Sequence, residues 1–277
     1  MKSYLDLLRD VVEQGVDMED RTGVGTRSVF GRMVRFDLQT GFPALTTKRL
    51  AFKTMLAELL FFISGSSDIK DLQKNNCHIW DANFEADYWK GAGKPQFDGD
   101  LGRIYGVQWR SWLRPDGEIV DQLQNLVDTL KSKPTDRRML VWAYNPGETD
   151  QQCLPPCHMG FQVYANTRER TLSLMWSQRS VDLFLGLSFN IASYAVLTHM
   201  LAQVCGYQAG EVIGSLGNVH IYNNHFDAVQ QQLAREPKTL PRLWLNPEIT
   251  RLEDFTMDDV RLLDYEYHPA IKAEMAV

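Results

Sequence analysis

QRSVDLFLGLSFNIASYAVLTHMLAQV, residues 178–204, carries the longest apolar run of the chain, from Leu183 to Val204. Asn190, Ser193, His199 and Gln203 interrupt it, which is too much polarity for a membrane span and suits a buried helix from about Val181 to Val204. The residues just upstream, 171–176, read as strand. Arg179, Ser180 and Asp182 therefore fall at an expected strand-to-helix junction. A guanidinium, a hydroxyl and the free N–H groups of a helix start would together favour an anion there. The competing reading is that Ser180 and Asp182 simply cap the helix.

Outward from this stretch, periodicity predicts an amphipathic helix over 2–15, a Gly-rich turn at DRTGVGT (20–26) and a strand over 27–38. Ala51–Ile63 reads as a buried helix closed by Gly65, with one charge in its middle, Glu58. Residues 84–103, rich in Gly, Asp and Lys, read as a surface insertion. Ile119, Leu123, Leu126, Val127 and Leu130 mark a helix. Strand signals follow at 139–144, 160–166 and 211–215, the last leading through GNVHIYNNHFD into a helix ending near Ala234. Two short strands are expected near 242–246 and 260–266. With no repeat, low-complexity segment or shift of composition, 1–277 reads as a single domain.

The 277 residues are 44% hydrophobic and 23% charged, ordinary for a compact α/β or α+β protein. A net charge of −6 argues against general binding of polyanions such as DNA. The N-terminus lacks the apolar core of a signal peptide, and four cysteines are too few for a disulfide scaffold, so free thiols and a cytoplasmic setting are expected. Cys153 and Cys157, spaced C-x-x-x-C beside His158, lack the second ligand pair of a structural zinc site, and no metal is expected. Gly23-Val24-Gly25 lacks the third glycine of a dinucleotide fingerprint, and Gly186–Asn190 lacks the second glycine of a nucleophile elbow.

Chemistry is suggested first by Leu154-Pro155-Pro156-Cys157-His158, where two prolines stiffen the approach to a cysteine at a strand mouth. A lone cysteine is more often structural than nucleophilic. Asp136-Arg137-Arg138 and Arg21 offer guanidinium groups for a phosphate, or merely a solvated face. Glu58 and Asn190 lie within apolar helices, where an unpartnered polar group is costly. Asn190 serves a core network or reads a base edge, since its amide both donates and accepts. His220 and Tyr222, at i and i+2, share one face of a strand.

In order and spacing, DRTGVGT, FPALTTKR, IWD, YGVQWR, RRM, PPCH, QRSVDLFLGLSFNIASY, GNVHIY and HPAIKAEMAV resemble the thymidylate synthase family over nearly the whole chain. The resemblance implies an α+β fold: a large, mixed, twisted β-sheet flanked by helices, one of them long and buried. It implies that Cys157 adds to C6 of dUMP, with Glu58, Tyr105 and His158 organising proton transfer and ordered water and the Asp182 carboxylate hydrogen-bonding the pterin. Arg21, Gln178, Arg179, Ser180, Asn190, His220 and Tyr222 would bind dUMP. Arg137 and Arg138 would come from the other subunit of a homodimer. The co-substrate would be 5,10-methylenetetrahydrofolate, meeting Lys48, Ile79, Trp80, Leu154, Asp182, Gly186, Phe189 and Val277. Four guanidinium groups near Cys157 would favour its thiolate.

Four residues depart from the family's usual pattern: Ser188, Asn218, Ser177 and Asn83. They keep a sister reaction open, in which water replaces hydride and leaves 5-hydroxymethyl-dUMP. A catalytically silent RNA-binding protein on the same scaffold is disfavoured by the intact set of site residues and the net negative charge.

Overall fold

A computed structural model describes residues 1–20 and 22–274. Its helices are α1 (Lys2–Gln14), α2 (Phe52–Ser64), α3 (Ile69–Gln73), α4 (Asp81–Glu85), α5 (Tyr105–Arg110), α6 (Gln122–Ser132), α7 (Leu187–Cys205) and α8 (Phe226–Leu233). The strands are β1 (Val16–Met18), β2 (Thr26–Asp37), β3 (Trp112–Leu113), β4 (Ile119–Val120), β5 (Leu140–Trp142), β6 (His158–Asn166), β7 (Thr171–Asp182), β8 (Gln208–Tyr222), β9 (Arg242–Leu245) and β10 (Val260–Leu263). A six-stranded sheet in the order β1-β2-β8-β7-β6-β5 forms the centre. Only the β7–β8 pair within it is parallel, as a crossover through α7 requires, so the sheet is mixed.

One face of the sheet is covered. Phe161, Val163, Leu172, Leu174, Trp176 and Val212 point into a core shared with α1, α2 and α7, and all are nearly or fully buried. The hydrophobic run of α7 is explained by burial nearly all round, and that of α2 by its seat between α5 and α7. The opposite face stays open among the described residues, and it mixes apolar with polar side chains such as Arg35, Glu211 and Gln162. Register places Met33, Met175, Tyr164 and Leu140 on it, and Met33 and Tyr164 are 61% and 67% exposed.

The sheet is irregular where β6 begins. Gly217 lies where a β-carbon would sit 2.9 Å from the Arg179 carbonyl oxygen and 3.3 Å from the Arg179 Cα, so only glycine lets β8 and β7 approach there. β6 is bulged between His158 and Gly160 at the same level.

Three expectations change. β7 runs on to Asp182, and α7 starts at Leu187 rather than near Val181. Parallel pairing with β8 persists through Ser180–Asn218, Val181–Val219 and Asp182–His220. The Asp182 carboxylate then accepts from the N–H groups of Phe184 and Leu185 and turns the chain. Arg179, Ser180 and Asp182 are therefore strand residues, and no helix N-terminus lends them charge. Ile119 belongs to β4 and is 64% exposed, because Asp121 caps α6 only afterwards by accepting from Gln124 N–H. The segment 84–103 is not purely a surface insertion, since Trp89, Asp100 and Leu101 are buried and the Trp89 indole donates to the Asp100 carbonyl.

Candidate active site

The segment 153–157 leads into β6 and is held at five backbone groups. Cys153 N–H donates to Leu101 O at 3.1 Å, and Cys157 N–H donates to the Tyr105 hydroxyl oxygen at 2.8 Å. Arg179 holds the other side. Its Nε and Nη2 donate to the carbonyls of Pro156 and Pro155 at 2.9 and 2.8 Å, and its backbone N–H donates to Cys157 O. The two prolines supply no N–H, so their carbonyls are the groups left to fasten.

The tethering segment is itself braced. Arg103 N–H donates to Gln151 O, and Arg103 Nε reaches the buried Glu148 carboxylate at 2.6 Å. Gln108 Nε2 bridges Arg103 O and Glu148, and Gln152 Nε2 also donates to Arg103 O. Gly102, with φ +75°, passes so close that a β-carbon would lie 2.2 Å from Gln151 O. Sequence reasoning missed Arg103 and Glu148, which carry no signal beyond adjacency to YGVQWR and PPCH.

Behind Cys157 lies a polar-aromatic wall. The rings of Tyr105 and His158 stack at 4.1 Å, and Phe62 stacks on Tyr105 at 4.7 Å. His158 Nδ1 lies 2.8 Å from the Tyr194 hydroxyl, a partner the sequence reading did not single out within its apolar helix. Burial pushes His158 down to about 3, so the ring is neutral. The Trp80 indole donates to Glu58 at 2.7 Å, and burial raises Glu58 to about 7 against that bond. Such a carboxyl group exchanges a proton near neutral pH.

Within the single chain Cys157 is not favoured as a thiolate. Burial raises its thiol, with Arg179 opposing and Asp182 reinforcing the rise. Of the guanidinium groups expected to oppose this, Arg137 and Arg138 belong to a loop that lies away from Cys157 within the chain, as the expected donation from a second subunit requires. Arg138 bonds Asp136 in its own loop and has a side chain 88% exposed, while the Arg137 carbonyl accepts from Gln162. That loop enters β5 opposite Gln162, four residues along β6 from His158, or about 13 Å away at strand rise. Arg21 and Val277 lie outside the described residues.

The remaining candidates gather along β7, β8 and α7. Gln178 Nε2 donates to Asn190 Oδ1 at 3.1 Å and to Ser180 O at 3.0 Å. His220 pairs with Asp182 across the parallel ladder, its Nδ1 lies 2.9 Å from Asn218 Oδ1, and its ring meets Tyr222 at 5.2 Å. Burial lowers His220, against the pull of Asp182. Gly186 precedes α7, and Phe189 in its first turn packs on the core edge. Leu154 is also partly buried, Trp80 is buried, and Ile79 remains 36% exposed. Lys48 differs from expectation: it is buried, its ammonium donates to Phe184 O and lies 3.6 Å from the Phe184 ring centroid. Burial brings it down to about 8, against the pull of Asp182.

Among the described residues no group of three or more His, Cys, Asp or Glu side chains is placed to hold a metal ion, and no helix is long and apolar enough to cross a membrane. All four cysteines are free. A braced cysteine at a strand mouth, beside a clamping arginine, a buried carboxyl group poised near neutrality and a run of polar residues on two parallel strands, agrees with the family comparison. A thymidylate synthase family model, for enzymes that use methylenetetrahydrofolate, matches residues 2–277, and the chain belongs to that family.

Proposed function

We propose that the chain converts dUMP to dTMP by reductive methylation with 5,10-methylenetetrahydrofolate. The observation that carries this reading is the fixed presentation of Cys157, with its N–H on Tyr105 and its flanking carbonyls on Arg179. The Cys157 thiolate adds to C6 of the uracil, and C5 becomes the carbon nucleophile that takes the one-carbon unit. Ser180, Arg179 and Arg21 hold the phosphate, using the Arg179 donors left beside its proline contacts. Asn190 faces O4 and N3, and His220 with Tyr222 binds the sugar hydroxyl. Glu58, with His158 and Tyr105, manages protons and ordered water. Trp80, Leu154, Phe189, Ile79, Gly186 and Asp182 form the folate wall, with Val277 closing over it. Lys48 would have to leave Phe184 to meet the folate tail.

The working unit in this reading is a cytoplasmic homodimer of single-domain chains. The open sheet face is its interface, and Arg137 and Arg138 reach the partner's phosphate site. An open face on which Met33, Met175 and Tyr164 stand among polar side chains such as Arg35 and Gln162 supports this, since exposed apolar groups on a folded chain mark contact surfaces.

Two substitutions favour a second reading, hydroxymethylation. Asn218 bonds His220, and Ser188 is buried in the first turn of α7, next to Phe189. Either could seat a water against the folate wall. Incubation with dUMP and methylenetetrahydrofolate decides the matter. The expected products are dTMP and dihydrofolate; 5-hydroxymethyl-dUMP with tetrahydrofolate would replace the first reading by the second.

A further inference from the structure

Three side chains stand in line behind the base-reading position. The Trp176 indole N–H donates to Gln178 Oε1 at 3.0 Å, and Gln178 Nε2 donates to Asn190 Oδ1 at 3.1 Å. Trp176 is fully buried and stacks on Tyr194 at 5.2 Å with 9° between the rings. Its ring therefore cannot swing away. An indole nitrogen donates and never accepts. The amide atom facing it must be an oxygen, so the orientation of Gln178 follows from chemistry. The Ser180 carbonyl, which only accepts, faces the other end of the same amide at 3.0 Å and agrees.

The consequence passes on to Asn190. Both Nε2 hydrogens of Gln178 are committed, one to Ser180 O and one to Asn190 Oδ1. Asn190 must then turn its oxygen toward Gln178 and its Nδ2 hydrogens the other way. A free asparagine flips at little cost and reads a carbonyl or an amino group equally well. A locked one presents a donor where uracil carries O4 and where cytosine would carry an amino group.

We propose that Trp176 is a specificity residue: its one-sided hydrogen bond, passed through Gln178, locks Asn190 in the orientation that selects a 4-oxo over a 4-amino pyrimidine nucleotide. This rests on the dUMP reading of the site. Trp176 touches no substrate and acts as a positioning residue, together with Ser180 O, on the amide that does.

The test measures binding of dUMP and dCMP by calorimetry, so that it does not depend on turnover. In Trp176→Phe the ring stays but the donor is lost. Gln178 is then oriented by Ser180 O alone, and the preference for dUMP should fall by about threefold. Gln178→Glu is sharper. Its carboxyl oxygens still accept from Trp176, but where the amide nitrogen has two hydrogens the replacement has at most one. With that one on Ser180 O, it offers Asn190 an acceptor. Asn190 turns its Nδ2 inward and its oxygen toward the base, and the preference should move toward dCMP by at least about tenfold. A loss of affinity equal for both nucleotides is what a merely structural role predicts, and it would overturn the inference. So would an unchanged ratio in both variants with wild type preferring dUMP. A wild-type protein that binds neither nucleotide overturns the functional reading and this inference with it.

Discussion

Two loops border the central sheet, and they are held in opposite ways. Residues 153–157 are fastened to α5, to the segment before it and to β7 through Leu101, Tyr105 and Arg179. In residues 134–138, Asp136 instead accepts three bonds from Arg138, two places away, and the Arg138 side chain stands in solvent beside the open sheet face. The first loop is complete within its own chain. A nucleophile displaced by one ångström loses orders of magnitude in rate, so its backbone has to be fixed. The second loop carries charge that costs nothing while hydrated, and it suits a task finished by another molecule.

The largest effect should come from uniting the two loops in one experiment. Cys157→Ala should cut turnover by at least about a thousandfold while dUMP still binds. Mixed with Arg137→Ala, it should recover activity, because half the sites of a hybrid dimer carry neither defect. No recovery after verified subunit exchange would confine Arg137 to its own chain. A Cys157→Ala protein retaining a few per cent of turnover would remove that residue as nucleophile.

The buried side of the comparison is sharpened by pH. Glu58 is raised by burial from 4.5 to about 7, so between those values the folded state holds a proton that the unfolded state has released. Wild-type stability therefore falls with rising pH in that window, relative to Glu58→Gln, by on the order of 3 kcal/mol in all. Urea titrations of the two proteins at pH 5 and pH 8 give the difference. A gap that does not change with pH would mean that Glu58 is ionised at pH 5.

The smallest effect belongs to the solvated loop. Asp136→Asn breaks a pair whose arginine stands in solvent and should shift the melting temperature little. It also releases Arg138, so KM for dUMP should fall slightly if that arginine serves a phosphate. A higher KM would show instead that Asp136 holds Arg138 in its working pose.

What the sequence disclosed follows from which signals are local. The helices at 2–14 and 52–64 were legible because apolar spacing and a closing Gly65 act within a few residues. The start of α7 was not. Val181, Leu183 and Phe184 are as apolar as the helix after them, and pairing with β8, about forty residues on, keeps 180–182 in the strand. Trp89 and Leu101 were hidden by polar neighbours, since burial depends on what packs from outside the segment. Cys157, Arg179 and Asn190 stood out through unusual local strings. Arg103, Glu148 and the Trp176 relay did not, because each acquires meaning from a partner's position and not from its own neighbours.

The pairing of β2 with β8 bears on how the protein is made. Arg27 lies opposite Ile221 and Phe36 opposite Val212, so a strand near the start of the chain finds its neighbour only after nearly two hundred residues. During synthesis β2 leaves the ribosome with an unpaired backbone edge, and with Val34 and Phe36, which the finished fold buries, still uncovered, long before β8 exists. At roughly 5–20 residues per second that wait lasts on the order of ten seconds or more. The nascent chain therefore passes through a period when β2 is paired only with β1, over residues 26–28, and the packing of α1 against it is the shielding its own chain supplies until residue 222 emerges.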